Sequence, residues 1–133
     1  MDAQRRTIAE NCMRASYEAT MDFPDIISTL VGAGFEGYHV DYRSGTTAYY
    51  HGEGDSIVVD NIKTEGAVGT RFLPSAVEAN VRQAQAHADG YSYRGFCENV
   101  KAAGCAGYLV SFSGRRVVYY GRNGECHIEH FPK

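Results

Sequence analysis

The sequence predicts an α+β fold made by internal duplication of a helix-helix-strand-strand-strand unit, with antiparallel meanders packed against helices. Three observations carry this prediction. Gly107–Phe131 (GYLVSFSGRRVVYYGRNGECHIEHF) reads as three short strands joined by two turns, and Gly37–Val59 repeats it in weaker form. A shift of 70 positions places Gly34, Gly37, Tyr38, Val40, Tyr49, Tyr50 and Gly54 on Gly104, Gly107, Tyr108, Val110, Tyr119, Tyr120 and Gly124 without a gap. Helical spacing precedes both meanders, with Ile8 and Cys12 matching Val77 and Val81 at a shift of 69.

In chain order, Ile8, Cys12 and Ala15 recur at steps of three and four, which predicts a helix over Asp2–Ala19 with Asp2 as its N-cap. A second helix starts near Asp22, where Pro24 suits the first turn and Ile26, Ile27, Leu30 and Val31 give an apolar face. Gly32 and Gly34 stop it. Beyond Gly37 the period becomes two: Tyr38, Val40 and Tyr42 point one way, His39 and Asp41 the other. RSGT and GEGD are turns, too short for parallel crossovers, so the strands form an antiparallel meander.

Asp60–Thr70 is polar and glycine-bearing and reads as the connector between halves. Helical character resumes over Phe72–Asp89, beginning at Pro74 or Ser75, with Val77, Val81 and Ala84 as the buried stripe. A short helix over about Tyr93–Ala103 carries Phe96, Cys97 and Val100, and the second meander follows Gly104. A three-stranded meander with so little helix is marginal alone. The expectation is a single domain over 1–133, made of two pseudo-repeats at about 1–60 and 72–131 joined at about 61–71.

Composition bounds the function without assigning it. The 133 residues have a size suited to one core, and a formal charge of −3 lacks the basic excess of a general nucleic-acid binder, so no nucleic acid is expected. No apolar run reaches membrane-spanning length, and the N-terminus lacks the apolar core of a secretory signal. Four cysteines without a CxxC pair fit a reducing cytoplasm with free thiols.

The stretch SYRGFCENVKAAGCAGYLVSFSGRRVVYYGRNGECHIEHFPK resembles the C-terminal half of the uncharacterised bacterial family typified by YdfO and YbcV. The shared elements are Phe96–Cys97, Ala103–Gly104, Tyr119–Tyr120, Asn123–Gly124 and Pro132; the first half matches less specifically. The resemblance implies a small α+β protein, often encoded in prophage regions of enteric and related bacteria. Some relatives carry the label "phage envelope protein". It implies no activity, cofactor or catalytic residue.

The duplication also serves as an internal control. Cys97 aligns with Ile27 and Cys105 with Phe35, so both read as small core hydrophobes rather than nucleophiles, and Cys12 lies on a helical apolar stripe. In CHIEH, strand alternation sends His127 and His130 to opposite faces, and Cys126 with His130 supplies half a metal site at most. GAGFEG follows a helix and precedes a strand, the reverse of a dinucleotide-binding turn, and no phosphate loop or nucleophile elbow appears. No cofactor is therefore expected.

Ten tyrosines without a tryptophan are the unusual feature. Tyr49/Tyr50 and Tyr119/Tyr120 each place one ring on either face of the sheet. Strand propensity accounts for one ring packing against helices and the other covering the open face. The alternative is that the outward rings, with Tyr42 or Phe112 nearby, form an aromatic surface for a partner or planar ligand. Arg43, Arg115, Arg116 and Arg122 beside the turns are ordinarily explained as solvated turn charges, with a modest anion-binding rim as the alternative.

The leading expectation is a non-enzymatic interaction module that binds a protein partner through an aromatic sheet face or the groove between halves; a homodimer is compatible with this. The alternative is a small-molecule binder or enzyme with its site between the halves, with Tyr50, Tyr120, His39 and Arg116 the residues in question. A virion component is a third class.

Overall fold

The computed structural model describes residues 3–87 and 89–132. The expected Asp2 cap lies outside the described residues. The chain runs α1 (Ala3–Glu18), α2 (Phe23–Gly32), β1 (Phe35–Asp41), β2 (Thr46–His51), β3 (Ser56–Asp60), α3 (Pro74–Gln85), α4 (Tyr93–Ala102), β4 (Cys105–Ser111), β5 (Arg116–Gly121) and β6 (Cys126–His130). This is the helix-helix-strand-strand-strand unit twice.

Local chemistry sets the helix boundaries. The Asp22 carboxylate accepts from the Asp25 amide while Asp25 reaches back to the Asp22 amide, a closed capping box with Pro24 in the first turn. Ser92, 70 positions on, caps α4 by accepting from the Gly95 amide. Past α2 and α4, Gly34 and Gly104 take φ of 91° and 86°, the left-handed turn that leads into β1 and β4.

The two meanders fuse into one antiparallel sheet of order β3-β2-β1-β4-β5-β6. At the β1–β4 seam, Tyr38 pairs with Val110, His39 with Leu109 and Val40 with Tyr108. His39 and Leu109 are themselves 70 apart, so a pseudo-twofold axis passes through that pair. The seam is close: a Cβ on Gly37 would stand 2.4 Å from the Val110 carbonyl oxygen, and one on Gly107 2.3 Å from that of Val40. Two of the glycines that reveal the duplication are thus the ones the junction needs.

All four helices cover one face. Tyr38, Val40, Tyr49, Ile57, Tyr108, Val110, Val117 and Tyr119 point into a core shared with Ala9, Cys12, Leu30, Val77, Phe96 and Val100. Cys97 and Cys105 are fully buried in it, as their alignment with Ile27 and Phe35 predicts. His51 is buried at the end of β2, with Nε2–H donating to the Ala33 carbonyl at 3.1 Å and Nδ1 accepting from the Glu53 amide at 3.2 Å. Its counterpart is Gly121, and there the Phe72 side chain fills the space.

The connector is a fixed strap rather than a loose link. Buried Lys101 donates to Thr64 Oγ1 at 2.6 Å and the Gly66 carbonyl at 3.0 Å, Arg94 donates to the Lys63 carbonyl, and the Glu65 amide donates to Glu98. These bonds tie the segment between halves to α4.

The seam geometry makes a stability prediction. Gly37→Ala forces a methyl into a backbone carbonyl, and is expected to cost about 2–3 kcal/mol or more in urea unfolding. Gly124→Ala, at φ 89° with open space around it, carries only backbone strain of about 1–2 kcal/mol. Equal losses for the two variants contradict the close seam.

Candidate functional site

Alternation along the strands gives the sheet two different faces. The four residues singled out in the sequence, His39, Tyr50, Arg116 and Tyr120, all lie on the face away from the helices. Only two of them meet. Tyr120 reaches across β4, over the bare Cα of Gly107, to bring its hydroxyl 2.5 Å from His39 Nε2. Tyr50 and Arg116 lie on the other side of the His39 row. Tyr42 and Phe112 do not join this surface: they are half-buried against the core on the helix side. The arginine rim does not converge either, since Arg115 donates to the Pro132 carbonyl over the Phe131 ring and Arg116 to the Gly114 carbonyl.

The concave site is on the opposite face, between the two helical hairpins. A cavity of about 710 Å³ is lined on the sheet side by Tyr38, Tyr49, Tyr108 and Tyr119, and the exposed rings of Phe23 and Tyr91 also line it. Its walls come from Cys12, Met13, Ser16 and Tyr17 of α1, the start of α2, Val81 and Ala84 of α3, and the first turn of α4. It straddles the pseudo-twofold axis, and sequence alternation could not find it because its lining comes from both halves.

Its hydrogen-bonding character follows from a break in symmetry. In the second half, Tyr93 and Tyr108 share a hydroxyl–hydroxyl hydrogen bond. The counterparts at a shift of 70 are Phe23 and Tyr38. Phe23 has no hydroxyl and packs edge-on against Phe131 instead, so the Tyr38 hydroxyl has no mate. The hydroxyls of Tyr49 and Tyr119 likewise make no hydrogen bond to a described residue; exposures of 7%, 4% and 7% leave the rings of Tyr38, Tyr49 and Tyr119 buried while their hydroxyls stay accessible along the cavity. Burial first, then neighbouring phenols and thiols, pushes all three phenol pKa values up, so these groups are neutral donors.

Deeper in, the Cys97 thiol sits among tyrosines: the Tyr17 hydroxyl is 3.9 Å from Sγ, and Tyr42 and Tyr93 are also electrostatic neighbours. Tyr42 Oη is the one buried side-chain polar atom among the described residues without a regular hydrogen bond. Burial pushes the Cys97 thiol up, which the adjacent hydroxyls only partly offset, and burial alone raises Cys12 at the cavity wall. Neither sulfur has the setting of an activated thiolate.

At one side of the cavity, Glu78 of α3 meets His127 and Glu129 of β6, with ligand atoms within 4.8 Å of one another. This is where the CHIEH stretch engages a partner, through its inward His127 and Glu129 rather than Cys126 and His130. Arg82 donates to Glu129 Oε1 at 2.6 Å and His127 Nε2–H to Oε2 at 2.5 Å, which fills both carboxylate oxygens. The arrangement is an ion-pair network; a cation would have to displace Arg82. Burial pushes the Glu129 carboxyl up, but the bonds from Arg82 and His127 outweigh it and hold it below its ordinary value.

The family described as a protein of unknown function (DUF1398) matches residues 12–130, and the chain belongs to that family. No curated protein matches it. The match takes in both halves and nearly every residue around the cavity.

A depressed carboxyl contributes stability above its unfolded pKa, and that contribution is lost as pH falls through the folded one. Wild-type protein is therefore expected to lose more urea resistance between about pH 6 and about pH 3.5 than Glu129→Gln does. Parallel losses in the two proteins rule out the Arg82–Glu129–His127 network as an acid-sensitive contact.

Proposed function

We propose that this family member is a ligand-binding protein that takes a neutral, planar, mostly apolar small molecule into the cavity between its halves. The observation that carries the reading is the set of three phenol hydroxyls, on the otherwise buried rings of Tyr38, Tyr49 and Tyr119, that line that cavity, stay accessible and have no hydrogen-bond partner among the described residues. Carbonyl, ether or ring-nitrogen acceptors on a ligand would supply the missing bonds.

Size and charge narrow the ligand. The volume falls within the roughly 300–1,000 Å³ typical of small-molecule sites. Among the described lining residues there is no lysine or arginine, the histidines His87 and His130 are exposed, the Glu129 carboxylate is already engaged, and the Asp22 carboxylate caps α2 through the Asp25 amide. An anionic ligand would gain no counterion from these residues, whereas aromatic walls favour a flat apolar body. Binding rather than chemistry is supported, because the wall thiol of Cys12 is held protonated. The likeness to YdfO and YbcV belongs to this reading, as a prophage-carried accessory protein of the cytoplasm; its support is the sequence motifs and the CxxC-free cysteines.

Flavone and coumarin, neutral planar probes with carbonyl acceptors, are expected to raise the melting temperature and quench tyrosine fluorescence. Tyr49→Phe should weaken binding about fivefold to tenfold, the value of one hydrogen bond. Ala84→Trp, which fills the cavity from α3, should abolish binding while the protein stays folded by circular dichroism. If neither probe stabilises the wild type, or Ala84→Trp binds as well, the reading fails.

A further inference from the structure

The sheet face away from the helices carries a second, independent feature. Strand registers align Val58, Ala48, His39, Leu109, Val118 and Ile128 into one straight row that crosses all six strands. Five of the six are apolar. Val58, Leu109 and Ile128 are 55%, 41% and 41% exposed, three of the seven large hydrophobics in that state among the described residues. Exposed apolar side chains scattered singly need no explanation, but a continuous row across an uncovered sheet does.

The rows on either side are polar and complementary to each other. One runs Asp60, Thr46, Asp41, Gly107, Tyr120, Cys126; the other runs Ser56, Tyr50, Gly37, Ser111, Arg116, His130. Acidic groups lie in the first and basic groups in the second. Tyr120 is held down over Gly107 by its bond to His39, which keeps this part of the face flat.

We infer that this face is a homodimer interface, in which two copies stack sheet against sheet through the apolar row. The pseudo-twofold axis at His39–Leu109 makes the row nearly self-matching, as an isologous contact requires. Charge supports a second copy in particular. With the dimer axis along the strands, Arg116 falls over Tyr50 of the other copy; with it along the row, Arg116 falls over Tyr120. Both arrangements put a guanidinium on an aromatic face, and in neither does Asp41 or Asp60 meet a carboxylate.

The area is sufficient. Six strands at about 4.8 Å spacing and about six residues at about 3.3 Å give a footprint of roughly 550 Å² per copy. The total of roughly 1,100 Å² clears the ~1,000 Å² expected of a specific interface. Stacking at about 10 Å with a modest twist between sheets is the ordinary geometry for such a contact. The inference does not depend on the cavity, which opens on the other side of the sheet.

Sedimentation velocity of the full chain, up to about 200 µM, tests this directly. Wild type is expected to sediment as a concentration-dependent dimer. Leu109→Arg at the row's centre should raise the dissociation constant about tenfold or more. Ile128→Asp is a second variant at the row's end, expected to act in the same direction. Val31→Asp, at an exposed apolar site on α2, should leave the dimer intact. A wild type that stays monomeric throughout overturns the inference and leaves the row to a different protein. A dimer unaffected by both row variants, or dissociated by Val31→Asp, places the contact elsewhere and overturns it equally.

Discussion

The close antiparallel seam between β1 and β4 is the constraint on which the rest of the structure depends. It joins two three-stranded meanders, each marginal alone, into one six-stranded sheet long enough to carry four helices. The seam closes only where Gly37 and Gly107 present no side chain to the carbonyls of Val110 and Val40. Once it is closed, the pseudo-twofold axis sets everything above and below it. The helical hairpins stand on either side of the axis with a cavity between them, and the uncovered face shows one continuous row of side chains.

Duplication supplies the scaffold, and departures from it supply the chemistry. Had Phe23 been tyrosine like its counterpart Tyr93, a second hydroxyl pair would satisfy Tyr38 as the first satisfies Tyr108. Where the second half has Val117 and the first Thr47, Thr47 donates to Asn61 at 2.5 Å and binds the connector's start. Where the first half has apolar Ile57 and Val59, the second has His127 and Glu129, which bond to α3 through Arg82. The halves are alike in backbone and unlike in the polar groups they aim at the shared interior.

Much of this is legible in the sequence. The element order, the Asp22 and Pro24 helix start, the strand parity of Tyr38 and Val40 against His39, and the buried state of Cys97 and Cys105 all follow from periodicity and the repeat. Alternation yields two faces but not which of them the helices cover. Parity alone therefore points to Tyr50, Tyr120, His39 and Arg116 as readily as to the tyrosines beneath the helices, whereas the cavity is lined by Tyr49, Tyr119 and Tyr38 on the other face. The signal that bears on this is the same shift of 70 extended into the helices, where Asp22 matches Ser92 and Phe23 matches Tyr93. Contacts spanning long separations, such as Glu78 with His127 or Tyr17 with Cys97, have no local pattern and stay invisible until the fold brings them together.

The claim that most needs testing is that the helix-side cavity, and not the tyrosines of the bare sheet, receives the ligand. Protein carrying ¹³C at the tyrosine ring ε carbons, titrated with coumarin and followed by carbon–proton correlation NMR, separates the two faces residue by residue. The account predicts shifts at Tyr38, Tyr49, Tyr91 and Tyr119, with Tyr50 and Tyr120 unmoved. Shifts confined to Tyr50 and Tyr120 would contradict it.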